Sequence, residues 1–366
     1  MKSKVYFTNM RTEYKNNLLD KFENLLKISD FESINFKNKF VALKIHFGEL
    51  GNLAFIKPNY VKVISEIIKE KGGIPFVTDA STLYSGARSN AISHLNVAAI
   101  NGFNETTCGC PVIIADGLKG DDYKEIQVDL KHCKNVKIGT YIEQADILIS
   151  LNHFKGHEMA GFGGALKNIG MGCGSKLGKL EMHSGSQPII NEDKCISCGL
   201  CVKNCNQNAI TIDKKAKINY NKCVGCGECI VVCPKTAILQ ENIEQSKILN
   251  EKIVEYTYGV IKDKPNFHVN FIMNVSPNCD CFPGNDLPIV PDIGIVASFD
   301  PIAIDQASAD LVNSAPVMNG SILENKHTKD DKFECIHNNI DYKSGLIYAQ
   351  ELKLGNIDYE LIKDVE

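Results

Sequence analysis

The chain has 366 residues, 44% of them apolar and 23% charged, the proportions of an ordinary globular protein with material for two or three domains. A net charge of −4 with no block of like charges excludes an electrostatically driven binder of nucleic acid or of membrane surfaces. No apolar run approaches the ~18 residues of a membrane span, and the opening MKSKVYFTNM carries no apolar signal core, so a cytoplasmic location is expected.

In chain order, a short strand at Val5-Tyr6-Phe7 precedes a helix over Leu18 to Lys27, the strand FVALKIHF (40–47), a helix from Tyr60 to the Gly72-Gly73 stop, and the strand IPFVTD (74–79). A helix over Ala91 to Asn101 and strands within PVIIADG (111–117) and ADILISLNHF (145–154) follow. Beyond a cysteine-rich stretch the same grammar resumes in FHVNFIMNV (267–275), DIGIVAS (292–298) and a helix whose first residue is Pro301. Short apolar runs alternating with helical patterns predict an α/β fold with a doubly wound, mostly parallel sheet. That host is expected to be discontinuous, comprising 1–187 and 241–366, with the cysteine-rich residues 188–240 inserted as a small α+β module.

The insert carries the sharpest signal. Cys195-x2-Cys198-x2-Cys201-x3-Cys205 is followed 17 residues later by Cys223-x2-Cys226-x2-Cys229-x3-Cys233-Pro234. This is the pattern of a bacterial ferredoxin with two [4Fe-4S] clusters, in which three thiolates of each run hold one cubane and the fourth reaches across to the other. Cys195, Cys198, Cys201 and Cys233 are therefore expected at one cluster, and Cys223, Cys226, Cys229 and Cys205 at the second. Zinc would want four ligands closing one tetrahedron and leaves the regular spacing unexplained. Seven Lys against four acidic residues make the insert basic, which suits a module docked on its own host and serving a redox protein donor or acceptor.

In open α/β sheets ligands bind beyond the carboxyl ends of the strands, and the residues there are polar: His46 to Asn52, Asp79 to Arg88, and His153-Phe154-Lys155-Gly156-His157. His153 and His157 are four apart, which on a helix puts both imidazoles on one face as for a metal pair, with His183 as a third member. Neutral imidazole also suits proton transfer; the plainer alternative is that these rings only bond backbone at strand ends. The glycine-rich run Gly161 to Asn168 opens a helix whose amides, with Lys167, offer an anion site. It matches neither a dinucleotide fingerprint nor a Walker loop. Cys279-Asp280-Cys281, in a loop from Ser276 to Pro288, is a candidate further metal site or redox pair, and Cys108-Gly109-Cys110 is a second such triplet.

The run HFKGHEMAGFGGALKNIGMGCGSKLGKLEMHS, the eight regularly spaced cysteines, Cys279-Asp280-Cys281 and PIVPDIGIVASFDPIAIDQAS together resemble the iron-sulfur centre proteins of the domain of unknown function 362 family. The resemblance implies the fold and the clusters and names no reaction. Within it, His157 to Lys167 is similar to the HxxAGFSGGxK stretch of lactate racemases, where the lysine anchors a nickel-pincer nucleotide. The expectation is an oxidoreductase that passes electrons through two [4Fe-4S] clusters to a small molecule at the strand ends. There His153, His157 and Lys167 would orient and protonate it. The alternative is a ferredoxin-type carrier or a metal- or cofactor-handling accessory protein.

Overall fold

Successive side chains of a strand point to opposite faces, and this period of two builds the centre of the molecule. In the computed structural model, which describes residues 2–84, 86–184, 188–235, 237–240, 243–326, 331–337 and 340–363, Val5, Ala42, Leu148 and Val296 are buried on one face. Tyr6, Val41, Ile149 and Ile295 are buried on the other. The strands are β1 (Ser3–Asn9), β2 (Phe40–Lys44), β3 (Ile74–Asp79), β4 (Val112–Ile114), β5 (Ile147–His153), β6 (Asn266–Ile272), β7 (Gly294–Ser298) and β8 (Tyr359–Lys363). They form one eight-stranded sheet in the order β8-β1-β7-β6-β5-β2-β3-β4. β6, β5, β2, β3 and β4 run parallel, as do β1 and β8, whereas β7 is antiparallel to both its neighbours. The sheet is thus mostly parallel but mixed. Residues 273–293 join β6 to β7 without a crossover helix, and a return without a crossover leaves the strands antiparallel.

Helices α1 (Leu18–Ile28) and α2 (Pro58–Glu70) cover one face, and α3 (Ala91–Ile100) adds Ala98 to the same core. The other face is covered by α4 (Ala165–Cys173), α6 (Ile243–Ile261) and α7 (Pro301–Ser314), with α5 (Lys176–His183) and α8 (Lys343–Glu351) beside them. Local chemistry sets their starts. Asn17 and Asp20 form a reciprocal capping box at α1, and Asp300 caps α7 with Pro301 as its first residue. Among the described residues no helix is long and apolar enough to cross a membrane.

Residues 188–240 fold around a small core of their own that includes Cys195, Cys201, Ile210, Cys229 and Ile238. Pro188–Ile190 pairs antiparallel with Ile238–Gln240, so the two ends of the stretch meet. Gly199 and Gly227, at φ +80° and +77°, start the short helices Leu200–Lys203 and Glu228–Val231, a backbone state costly for other residues. A Cβ on Gly227 would also meet Met159 Sδ of the host at 2.6 Å. The expected junctions at 187/188 and 240/241 adjoin residues 185–187 and 241–242, which lie outside the described residues.

Candidate functional site

Because β2, β3, β5 and β6 are parallel, the segments that leave their carboxyl ends gather on one side of the sheet. Their side chains enclose a cavity of about 90 Å³. Lys44, the last residue of β2, is buried there, 2.9 Å from Asp79 of β3 and 2.7 Å from Asn168 Oδ1. It fits because α4 presents Gly172, where a Cβ would come within 2.6 Å of Lys44 Nζ. Arg88 is 1% exposed, with Nε 3.0 Å from Glu49 and Nη1 3.7 Å from Asp79.

His153 and His157 are not on a helix. His153 ends β5, and His157 ends the short strand Lys155–His157, which pairs with Gly161–Gly163. The two rings therefore have separate surroundings. His153 Nδ1 lies 2.8 Å from Asp280 and its Nε2 2.8 Å from the Met273 carbonyl, so both ring nitrogens already face oxygen partners within the protein. Burial alone would raise the Asp280 carboxyl, but His153, then Lys155, carry it below the usual carboxylate range. His153, expected from the sequence to touch substrate, is thus placed between Asp280 and the Met273 carbonyl. His157 Nδ1 accepts from the N–H of Met159 and Ala160 at 3.1 and 3.0 Å, which leaves the proton on Nε2. His46 repeats the arrangement, with Nδ1 accepting from Gly48 N–H at 3.0 Å and, among the described residues, no hydrogen-bond partner at Nε2. His183 Nε2 faces Tyr84 Oη at 3.4 Å.

Burial, then Arg88, holds His46 well below the usual imidazole range, and burial with Lys167 and Lys155 does the same to His157. Burial and Lys167 bring His183 down to about 3, and burial brings His268, in the sheet, to about 3. A folded state that binds fewer protons than the unfolded one loses stability as pH falls, here from about 6.5 downward, by about 1.4 kcal/mol per pH unit for each such histidine. Glu228 and Asp305, pushed up by burial to about 7 and about 6, oppose this over part of the range but are outnumbered by the four histidines. The urea midpoint is therefore expected to fall steeply between pH 7 and pH 5; a flat profile would contradict neutral buried rings.

The helix-start anion site foreseen in the glycine-rich run is already filled. The Asp305 carboxylate accepts from Ala165 and Leu166 N–H at 2.7 and 3.0 Å. The glycines serve close approach: a Cβ at Gly164 would collide with Asp305, and one at Gly163 with Lys155 Nζ. Lys167 instead points at Cys279 Sγ, 3.6 Å away, and Lys155 at the same sulfur from 3.8 Å. Burial pushes both lysines below the usual ammonium range, Lys167 further because Lys155 is beside it. Lys44, Lys155, Lys167, Lys179 and Arg88 line the cavity against the carboxylates of Asp79 and Asp280, an excess of positive charge that suits a small anion.

Cys279 and Cys281 are disulfide-linked at the cavity wall. Their loop is clamped: Glu49 N–H donates to Asp280 O at 3.1 Å, Gly156 N–H to Ser276 O at 2.8 Å, and Cys279 N–H to Glu158 Oε1 at 3.2 Å. Cys108 and Cys110 are buried in the core that α2 covers and line neither this cavity nor the next, so the two triplets make no joint thiolate site.

A second cavity of about 270 Å³ shares Tyr84, Arg88, His157, Cys279 and Cys281 with the first, and its far wall is Asn204, Glu228 and Val232 of the insert. Tyr84 lies within electrostatic reach of Glu228, Cys226 and Cys229. Inside the insert, Cys195, Cys198, Cys201 and Cys233 line one hollow of about 20 Å³, and Cys205, Cys223, Cys226 and Cys229 line another of about 20 Å³. Among the described residues no three His, Cys, Asp or Glu side chains gather tightly enough to hold one metal ion, His153, His157 and His183 included.

The profile of the family described as "Domain of unknown function (DUF362)" matches residues 41–310, a range that spans β2 to α7 and both cavities. The chain belongs to the DUF362 family. No curated protein matches this DUF362 chain. Among solved structures it is similar to the lactate racemase apoprotein from Thermoanaerobacterium thermosaccharolyticum, at 12% identity and a TM-score of 0.38, covering 73% of this chain and 50% of that one. It is also similar to a Thermotoga maritima protein, at 12% identity and a TM-score of 0.43, covering 83% and 61%. The chain thus spans about half to three-fifths of the length of these two relatives. The DUF362 cavity includes Lys44 and Lys179, which sequence reasoning passed over because a strand-end lysine and a helical lysine carry no signal of burial. His46, Asp79 and Arg88 were marked only as strand-end residues.

Proposed function

We propose that this DUF362 protein is an iron-sulfur oxidoreductase: residues 188–240 hold two [4Fe-4S] clusters, and the lysine-lined cavity takes a small anionic substrate. The grouping of the eight cysteines carries this reading. Each hollow is lined by three thiols of one run and one of the other, the donor set of a cubane in which each thiolate binds its own iron. Backbone N–H groups of Ala209 and Ala237 aim at Cys205 and Cys233 Sγ from 3.3 and 3.2 Å, at matching places in the two repeats. Hydrogen bonds of this kind tune cluster potential. When bound, the clusters supply one-electron transfer.

The host residues do the rest. Lys155 and Lys167 bind the anion, and the Nε2–H groups of His157 and His46 donate to it as neutral imidazoles, a polarising role that imidazolium does not need to fill. The His153–Asp280 pair fixes the loop that carries Cys279. The basic insert suits a soluble, acidic, low-potential redox protein as electron donor in a reducing cytoplasm.

Oxalate is a suitable probe of the cavity. At pH 7 it is expected to raise the thermal midpoint of the native protein, and its affinity should fall about tenfold or more in Lys167→Met, equivalent to about 1.4 kcal/mol. Affinity should also fade as pH rises toward 10, earlier than an ordinary lysine would allow, because Lys167 and Lys155 lose their protons sooner. In parallel, dithionite should bleach the visible absorbance and produce an EPR signal. Equal oxalate affinity in both proteins, or no reducible chromophore, would overturn the reading.

A further inference from the structure

An iron-sulfur module passes electrons singly, whereas reducing the carbonyl of a small carboxylate takes two, so a two-electron store between insert and cavity would join them. The wall shared by the two cavities holds a group able to act as one. Cys279 and Cys281 are disulfide-linked there, lining both the lysine-rich cavity and the cavity whose far wall is the insert. We propose that Cys279 and Cys281 are a redox-active disulfide/dithiol couple that accepts two electrons from the insert side and presents them to the anion cavity. The inference rests on the reading of the insert as an iron-sulfur module.

The surroundings distinguish the two sulfurs. Cys279 is 3% exposed, with Lys155 and Lys167 Nζ at 3.8 and 3.6 Å and Cys281 N–H at 3.5 Å from its Sγ. Two ammonium groups and an amide are the surroundings that stabilise a thiolate. Cys281 is the less buried of the pair and borders the 270 Å³ cavity. In the proposed step the S–S bond breaks and two electrons enter one at a time, originating in a low-potential one-electron carrier protein. Cys279 keeps one electron pair as thiolate, and Cys281 takes the other with one proton from water. The reverse step returns two electrons and one proton to a small carboxylate with a reducible carbonyl, bound in the anion cavity, which takes its second proton from water, and re-forms the S–S bond. The lysines therefore have two tasks, holding the substrate anion when the pair is oxidised and compensating the Cys279 thiolate when it is reduced.

The test uses anaerobically purified, cluster-loaded full chain, dithionite as reductant, and iodoacetamide labelling of the peptide containing Cys279 and Cys281, read by mass. Before reduction the peptide is expected to stay unlabelled, and after it both cysteines are labelled. In Cys226→Ala the same labelling should be about tenfold slower or more at equal dithionite. Should that variant fold poorly, Cys279→Ser leaves all eight cysteines of the insert in place. In it Cys281 should label without any reductant while iron and sulfide stay at the native level. Reducible clusters, seen by EPR, with a peptide that stays unlabelled would overturn the couple and leave the iron-sulfur reading standing. So would a peptide that labels fully before reduction, or an extra metal that is lost in Cys279→Ser. Absence of iron and sulfide would instead overturn the reading beneath it, and the couple with it.

Discussion

Asp280→Asn is expected to destabilise the protein by about 3–5 kcal/mol, the usual cost of removing one partner from a buried ion pair. Asp280 and His153 are 1% and 7% exposed. Among the described residues the carboxylate is the one anion hydrogen-bonded to the ring, whose other nitrogen lies 2.8 Å from the Met273 carbonyl. An amide at 280 replaces two equivalent carboxylate acceptors with one acceptor and one NH2 group, and removes the negative charge that the buried cations around it offset. The damage spreads to the loop, because Asp280 lies between the paired cysteines and its carbonyl receives Glu49 N–H. The urea midpoint measures the loss, and a change below about 1 kcal/mol would mean the pair is worth no more than a surface contact. The double replacement His153→Phe with Asp280→Leu is expected to recover part of the stability, since apolar side chains in place of a buried pair leave no charge unmatched.

The second large effect concerns ligand crossing. Cys233→Ala is expected to reduce bound iron from about eight to about four per chain, because one cubane loses its fourth thiolate. Combining it with Cys198→Ala should cost nothing further, since both residues line the same hollow, leaving about four iron. Combining Cys233→Ala with Cys226→Ala should remove both clusters, because Cys226 lines the other hollow. The mirror pairs with Cys205→Ala should behave likewise, with Cys226 now the silent partner. The opposite pattern would mean that each run closes its own cube. Iron and acid-labile sulfide in the purified variants decide the matter.

What the sequence made legible was local. Strand and helix order follows from short-range periodicity and caps, and the cysteine runs announce their chemistry through spacing alone. The polar strand ends were visible because the strands were. Less legible were the features that depend on chain segments far apart in sequence. His153 and His157 look like a helical pair until Gly161–Gly163 folds back on Lys155–His157 and makes that stretch a hairpin. The amides at the start of α4 look free until Asp305, 140 positions away, takes them. From the sequence Lys155 and Lys167 read equally as anion ligands or as solvated lysines, and only the folded 276–283 loop brings Cys279 to both. Nor does a strand-end lysine such as Lys44 reveal its burial, since Asp79 and Asn168, which make that burial tolerable, come from β3 and α4. The antiparallel β7 was equally hidden, because an apolar run reads the same in either direction.

The most direct measurement is the stoichiometry of iron and acid-labile sulfide in the native chain purified without oxygen. About eight of each per chain, with an EPR signal appearing on dithionite reduction, is the result expected of two [4Fe-4S] clusters held by Cys195, Cys198, Cys201 and Cys233 and by Cys205, Cys223, Cys226 and Cys229. About two zinc ions per chain with no labile sulfide would contradict it, and would leave the lysine-lined cavity without the electron supply proposed for it.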